Sequence, residues 1–177
     1  MELAAGTYEL GPGDGTLAVR TYRTGAAAKA GHDLLLHVDD WHATVEVAGG
    51  RPMSVRLEAD GSSFQVIDGT GGIQALDDSD RANIRQTIDD EILERTSLSF
   101  MSTVIDADGD GFRVRGDLTL LGRTHPLDVE LILDTGVLRA TAVVKQSSWG
   151  MKPYSTLFGA LKVADDVEIA VQAKVSP

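Results

Sequence analysis

The sequence predicts an all-β fold with one short helix: an antiparallel eight-stranded β-barrel around an apolar tunnel. From Phe112 onward, segments alternate apolar and polar residues, so each strand has one face for the interior and one for water. Many such strands in succession favour an antiparallel sheet that curls around its apolar side. Only one segment has helical spacing. All residues, 1–177, are expected to form a single domain.

The first half of the chain contains strand patterns separated by turns. Residues 7–10 and 16–23 are predicted strands joined by a turn that contains glycine and proline. Residues 32–47 are the longest strand-like region, and the apolar face switches near Asp39 and Asp40, which predicts a bulge or a hairpin. Shorter strands are expected at residues 55–59 and 64–67.

The predicted helix covers residues 79–94. Ile84, Ile88 and Ile92 lie four residues apart and therefore share one face. Ser79 or Asp80 is expected to cap the N-terminus. Acidic residues late in the helix oppose the helix dipole, so we expect packing against the rest of the protein to hold it.

The second half continues with a strand at residues 97–106 and with alternating strands that start near Phe112, Leu127, Leu138 and Val167. The aspartate-rich segment 106–111 resembles the start of a calcium loop, but strands flank it, so we interpret it as a hairpin turn. Residues 147–154 interrupt the alternation, which predicts either a long connection or a lid over a ligand site. The histidines at five-residue spacing point to alternate faces of a strand, so no metal site is predicted.

Composition limits the classes of partner. The net charge of −11 disfavours nucleic acids and anionic membrane surfaces, because both are polyanions. Cysteine is absent, which removes disulfide and thiolate chemistry. No apolar stretch approaches the length of a membrane span, and the first residues lack the features of a signal peptide. We therefore expect a cytoplasmic protein without a transmembrane segment.

Four segments in order resemble the YceI-like family of polyisoprenoid-binding, lipocalin-like bacterial proteins. They are the opening segment at 7–19, Ala-Gly-His-Asp-Leu at 30–34, Leu-Thr-Leu-Leu-Gly-Arg-Thr-His-Pro-Leu at 118–127, and Ser-Ser-Trp-Gly-Met at 147–151 followed by Asp-Val-Glu-Ile at 166–169. The resemblance implies a lipocalin-like barrel that holds a long-chain apolar molecule, such as an isoprenoid, an isoprenoid quinone or a fatty-acid derivative. Many members of this family are periplasmic or secreted.

The composition of the inward faces favours a tunnel over a filled core. Aromatic residues make up only 5% of the chain, and many predicted inward positions are small. Small inward side chains leave space for one ligand inside an eight-stranded barrel. These positions are Ala43, Ala59, Gly116, Ala140, Ala142 and Ala173.

The leading functional hypothesis is carriage or storage of a long apolar molecule without catalysis. The alternatives are a cyclase or isomerase that uses the same cavity and a stress-related protein with no stable ligand. No catalytic residue, metal or cofactor is predicted apart from a bound isoprenoid or quinone, and a homodimer is left open. The predicted tunnel residues are Trp41, Phe64, Ile88, Phe100, Leu118, Leu131, Trp149 and Phe158, and the candidates for a polar head group are His32, Lys152 and Tyr154.

Overall fold

Antiparallel strands form most of the molecule. The computed structural model describes residues 3–134 and 136–176, and these contain an eleven-stranded sheet and a separate three-stranded sheet. The strands are β1 (Gly6–Leu10), β2 (Gly15–Thr21), β3 (Arg23–Thr24), β4 (His32–Val38), β5 (Trp41–Ala48), β6 (Arg51–Asp60), β7 (Phe64–Gly71), β8 (Ser97–Asp108), β9 (Gly111–Leu120), β10 (Arg123–Asp134), β11 (Val137–Lys145), β12 (Ser155–Thr156), β13 (Leu161–Val163) and β14 (Asp166–Lys174). The helical segments are α1 (Asp78–Thr87), a π-helical turn (Ile88–Ile92) and 3-10 turns at Ala28–Ala30, Gln146–Trp149 and Leu157–Gly159.

The eleven strand segments of the large sheet make up eight barrel strands. β1 pairs with β5, and β2 pairs with β4. In turn, β5 pairs with β6, and β4 pairs with β7. The pairs β1–β2, β4–β5 and β6–β7 are therefore each one long strand with a bend. Counted in this way, every barrel strand has a paired neighbour on both sides, because β2 pairs with β14 and β6 pairs with β8. The predicted antiparallel barrel is confirmed, and the number of segments differs because bends interrupt three strands.

The bends are located where the sequence contains turn residues. The amide of Asp39 donates to the carbonyl of Ser63 over 2.9 Å, and the amide of Asp60 donates to the carbonyl of Asp40 over 2.9 Å. The ladder thus continues across the bend, and the face switch at residues 39–40 is a bend and not a hairpin. The predicted strands at 7–10 and 16–23 likewise lie end to end. The segment 106–111 is a hairpin, as predicted, with Asp108 opposite Gly111.

The two ends of the barrel differ in the length of their connections. Following the chain direction through the paired strands places the short turns β5–β6 and β8–β9 at one end. Three long connections lie at the other end: residues 22–31, 72–96 and 146–165. We call this the connection end. It is covered by α1, the π-helical turn and the small sheet of β3, β12 and β13.

The helix begins at Asp78, one residue before the predicted start, and its cap lies two to three residues before the predicted one. Asp77 is the N-cap: its carboxylate accepts from the amide of Asp80 over 2.8 Å, and the Asp80 carboxylate accepts from the amide of Asp77 over 3.1 Å. This corrects the predicted cap at Ser79 or Asp80. Arg81 donates to the carbonyls of Val66 (3.0 Å) and Ile67 (2.8 Å), which attaches α1 to the free edge of β7. Within the described residues, no helix has the length and apolar character needed to cross a membrane.

Candidate ligand-binding cavity

An internal cavity of about 420 Å³ runs through the barrel. All eight barrel strands contribute inward side chains to its wall, and α1 and the π-helical turn contribute Ile84, Ile88 and Ile92 at the connection end. The volume lies within the range of about 300–1,000 Å³ that is typical of small-molecule sites. The barrel therefore contains a cavity large enough for a small-molecule ligand.

The cavity wall is apolar along most of its length and carries no charged side chain among the described residues. Burying an ion there without a partner would cost several kcal/mol, so the cavity suits uncharged molecules. The polar side chains on the wall are all neutral and most of them lie toward the connection end. They are Thr21, Asn83, Thr87, Thr141, Gln146 and Tyr154.

Thr21 contributes the most unusual of these polar groups. It occupies the third inward position of β2, after Leu17 and Val19, and its side chain faces the cavity. The hydroxyl oxygen is fully buried and has no hydrogen-bond partner among the described residues. An unsatisfied buried hydroxyl costs about 1–3 kcal/mol. A ligand with a polar head could remove this cost by hydrogen bonding to Thr21.

Six of the eleven predicted site residues lie on the cavity wall. Strand alternation positions four of them, because residues on one face of a strand share one environment. Ile88 comes from the π-helical turn and Tyr154 from the 146–165 connection. Their contact with a ligand stays a prediction. The six are Phe64, Ile88, Phe100, Leu118, Leu131 and Tyr154.

The two tryptophans are buried but do not line the cavity, which corrects their predicted placement. Trp41 is on the inward face of β5, next to the bend, and packs in the core outside the cavity. Trp149 ends the 3-10 turn Gln146–Trp149 and lines a groove on the outer surface of the barrel. Its indole N–H donates to the carbonyl of Leu118 over 2.8 Å, and its ring forms a T-shaped pair with the ring of His125, with the two ring centroids 5.6 Å apart.

Phe158, Lys152 and His32 also lie away from the cavity wall. Phe158 is fully exposed in the 146–165 connection, with a left-handed backbone (φ 53°), and Lys152 is exposed in the same connection. The His32 ring is hydrogen-bonded through Nε2 to the carbonyl of Gln74 over 2.7 Å. His32 therefore attaches β4 to the 72–96 connection, and none of the three lies where a head group inside the cavity would be.

Sequence reasoning missed the neutral polar groups at the connection end. Thr21 could have been found, because it continues the inward run of Leu17 and Val19. Asn83 and Thr87 adjoin the isoleucines of the helix face that lines the cavity. Gln146 could have been found in the same way, because it continues the inward run of Ala140, Ala142 and Val144 by one more step of two residues.

Three of the six small inward residues, Ala59, Gly116 and Ala173, do not line the cavity, and the two alanines are buried in the core. A Cβ atom on Gly116 would collide with the ring of Phe100 and with the carbonyl of Met101. Gly116 therefore leaves room for Phe100, whose side chain fills that part of the interior. Ala43, Ala140 and Ala142 do line the cavity, as their small size predicts.

The side chains with shifted pKa values lie outside the cavity. Hydrogen bonds from the hydroxyl and the amide of Ser147 lower the pKa of Asp165. The guanidinium of Arg115 lowers the pKa of the exposed Asp128. These shifts stabilise ionised surface carboxylates, so they give no support to acid–base chemistry inside the barrel.

We expect Trp149→Phe to destabilise the protein by about 1–3 kcal/mol, because the buried carbonyl of Leu118 would lose its donor. Chemical denaturation measures this change in the free energy of unfolding. Trp41→Phe is the matched comparison, since no side-chain hydrogen bond is formed by Trp41 among the described residues. Equal losses of stability in the two variants would show that the smaller ring accounts for the whole effect and that the hydrogen bond of Trp149 adds nothing to stability.

The chain resembles known proteins in fold and in one family pattern. No curated protein matches the sequence. BcnA from Burkholderia cenocepacia superposes with a TM-score of 0.58 and 17% identity, over 90% of this chain and 96% of that one. The YCEI protein from Campylobacter jejuni gives a TM-score of 0.53 and 13% identity, over 80% and 85%. At this identity the likeness shows a shared fold. The YceI-like domain model matches residues 36–175, and the chain therefore belongs to the YceI-like family.

Proposed function

We propose that this protein binds and carries or stores a long-chain apolar molecule with an uncharged, hydrogen-bonding head, of which an isoprenoid quinone is an example. The observation that supports this most directly is the cavity of about 420 Å³ without a charged side chain among its described wall residues. Each buried methylene gains about 0.8 kcal/mol. A ten-carbon tail would thus contribute roughly 8 kcal/mol before the costs of binding are subtracted.

The neutral polar groups support an uncharged head. A carboxylate or phosphate inside the cavity would need a cationic partner, and the described wall has none. A quinone carbonyl, an alcohol or an ester needs only hydrogen bonds, which Thr21, Asn83 and Tyr154 can form. In this arrangement the head lies near the connection end and the tail extends along the barrel.

Native mass spectrometry followed by organic extraction of the purified protein tests the proposal. We expect a neutral long-chain molecule to be released. In parallel, the protein is titrated with a benzoquinone that carries a ten-carbon tail and with decyl phosphate as the charged counterpart. Tighter binding of the quinone is expected. A protein that carries nothing and binds neither probe would contradict the proposal, and preferential binding of decyl phosphate would contradict the uncharged head.

Thr21→Val is expected to affect stability and affinity in opposite ways. Valine has the same shape without the hydroxyl, so the free protein should be as stable as the wild type or more stable. Affinity for the quinone should fall by roughly threefold to tenfold, which corresponds to a loss of about 0.5–1.5 kcal/mol. Calorimetric titration and thermal unfolding measure the two effects.

An apolar probe with the same tail and no head provides the control for Thr21→Val. The affinity of this probe should be the same for Thr21→Val and for the wild type, because the probe has no polar atom that could bond to the Thr21 hydroxyl. Thr16→Val, on the outward face of the same strand, should alter neither probe. Equal loss for the headed and headless probes would mean that Thr21 contributes shape and not a hydrogen bond.

A further inference from the structure

The barrel wall separates between β10 and β11. These two strands pair only from Glu130 to Asp134 and from Val137 to Thr141. Toward the connection end, residues 123–129 of β10 stay paired with β9, and residues 142–145 of β11 stay paired with β14. The two strands therefore diverge over the half of the barrel that lies nearer the connection end.

At this separation a single layer of side chains lies between the interior cavity and the outer surface. A groove of about 1090 Å³ lies over it on the outside. Five residues border both this groove and the cavity: Leu127, Val129, Thr141, Ala142 and Ile169. We call the four apolar ones, Leu127, Val129, Ala142 and Ile169, the side opening. They are only half-buried although they continue the inward face, whereas Leu131, where β10 and β11 are paired, is 2% exposed.

Two features of the chain keep the side opening unsealed. Pro126 has no backbone N–H, and proline inside a strand is tolerated where that strand forms an edge. On the other rim Ala142 has too small a side chain to fill the gap. The free edge of β7 is different, because Arg81 of α1 binds it through two carbonyls. At the side opening, the nearest covering element is the turn that ends at Trp149.

We propose that the long-chain apolar ligand enters and leaves the cavity through the side opening. This inference rests on the proposed function. The occupant is the apolar tail, because four of the five residues shared by the cavity and the groove are apolar and the fifth, Thr141, is uncharged. At the connection end, by contrast, Ile84, Ile92 and Met151 line the cavity from the elements that cover it. Passage there would require these elements to move, whereas at the side opening β10 and β11 are not paired and one layer of side chains lies between the cavity and the groove.

A covalent bridge across the side opening tests the proposal. The chain has no cysteine, so Asp128→Cys with Val143→Cys introduces one defined pair. Continuing the β10–β11 register from Glu130 and Thr141 places these two positions opposite each other, and both are exposed. A bis-maleimide reagent joins them. The matched control is Ile132→Cys with Arg139→Cys, which bridges the same strands where they are already paired.

Stopped-flow quenching of tryptophan fluorescence by the benzoquinone with a ten-carbon tail gives the association and dissociation rates. We expect the bridge at 128 and 143 to slow both rates by about tenfold or more, with a much smaller change in the equilibrium affinity. The bridge at 132 and 139 and the unbridged double variants should behave like the wild type. Unchanged rates in the bridged protein, with the wild type binding normally, would overturn the side opening alone. A wild type that binds no quinone would overturn the proposed function together with it.

Discussion

Ala140→Phe is expected to reduce quinone affinity at least about tenfold while the protein stays folded, a loss of about 1.4 kcal/mol or more. Ala140 lies on β11 between Leu131 and Val171 and lines the cavity. A phenyl ring at this position would occupy space that the ligand tail needs. Because the ring fills an existing cavity, the free energy of unfolding should stay the same or increase. Calorimetric titration and chemical denaturation measure the two quantities.

Arg139→Phe is the matched control for this experiment. It introduces the same ring one residue earlier on the same strand, on the exposed outer face. Its affinity for the quinone should equal that of the wild type. If Ala140→Phe also bound the quinone with unchanged affinity, the cavity would not be the binding site. If both variants lost affinity equally, the effect would come from β11 as a whole and not from the filled space.

Strand periodicity predicted the parts of the site that lie on regular strands. Phe64, Phe100, Leu118 and Leu131 were placed on the cavity wall from alternation alone, and all four are there. Alternation is reliable in this barrel because a shift of one residue would move all the apolar side chains of a strand from the interior to the outer surface. The helix face of Ile84, Ile88 and Ile92 was predicted on the same principle, with a period of four residues.

Three of the five misplaced residues fall where no period operates, whereas Trp41 and His32 are the first residues of β5 and β4, where alternation does not show how far the cavity extends. Trp149, Lys152 and Phe158 belong to the 146–165 connection, in which apolar side chains can equally face the cavity, an outer groove or water. The sequence also could not distinguish a bend from a hairpin, since glycine, proline and aspartate favour both. The sequence therefore did not show that three barrel strands contain a bend, which divides eight barrel strands into eleven segments. The separation of β10 from β11 depends on where the pairing of these two strands stops, which alternation does not show. Pro126 is the main signal for it in the sequence, because proline favours the edge of a sheet.

Leu131→Ala is expected to cause the largest loss of stability among the single substitutions considered. Leu131 is 2% exposed and is one of the largest fully buried side chains. Removing it costs the transfer free energy of three carbons and enlarges a cavity that already exists, together about 3 kcal/mol. For a chain of this size the Tm should fall by roughly 6–12 °C. Differential scanning calorimetry measures the shift.

Ile132→Ala provides the control, because Ile132 is the next residue on β10, points outward and is 46% exposed. It should cost less than about 1 kcal/mol. Similar losses in the two variants would mean that the wall at Leu131 is not tightly packed. Quinone at about a hundred times its dissociation constant should add about 2.7 kcal/mol to any variant that still binds it. Leu131→Ala should therefore regain most of its lost stability when the ligand is present, because the enlarged cavity still encloses the tail.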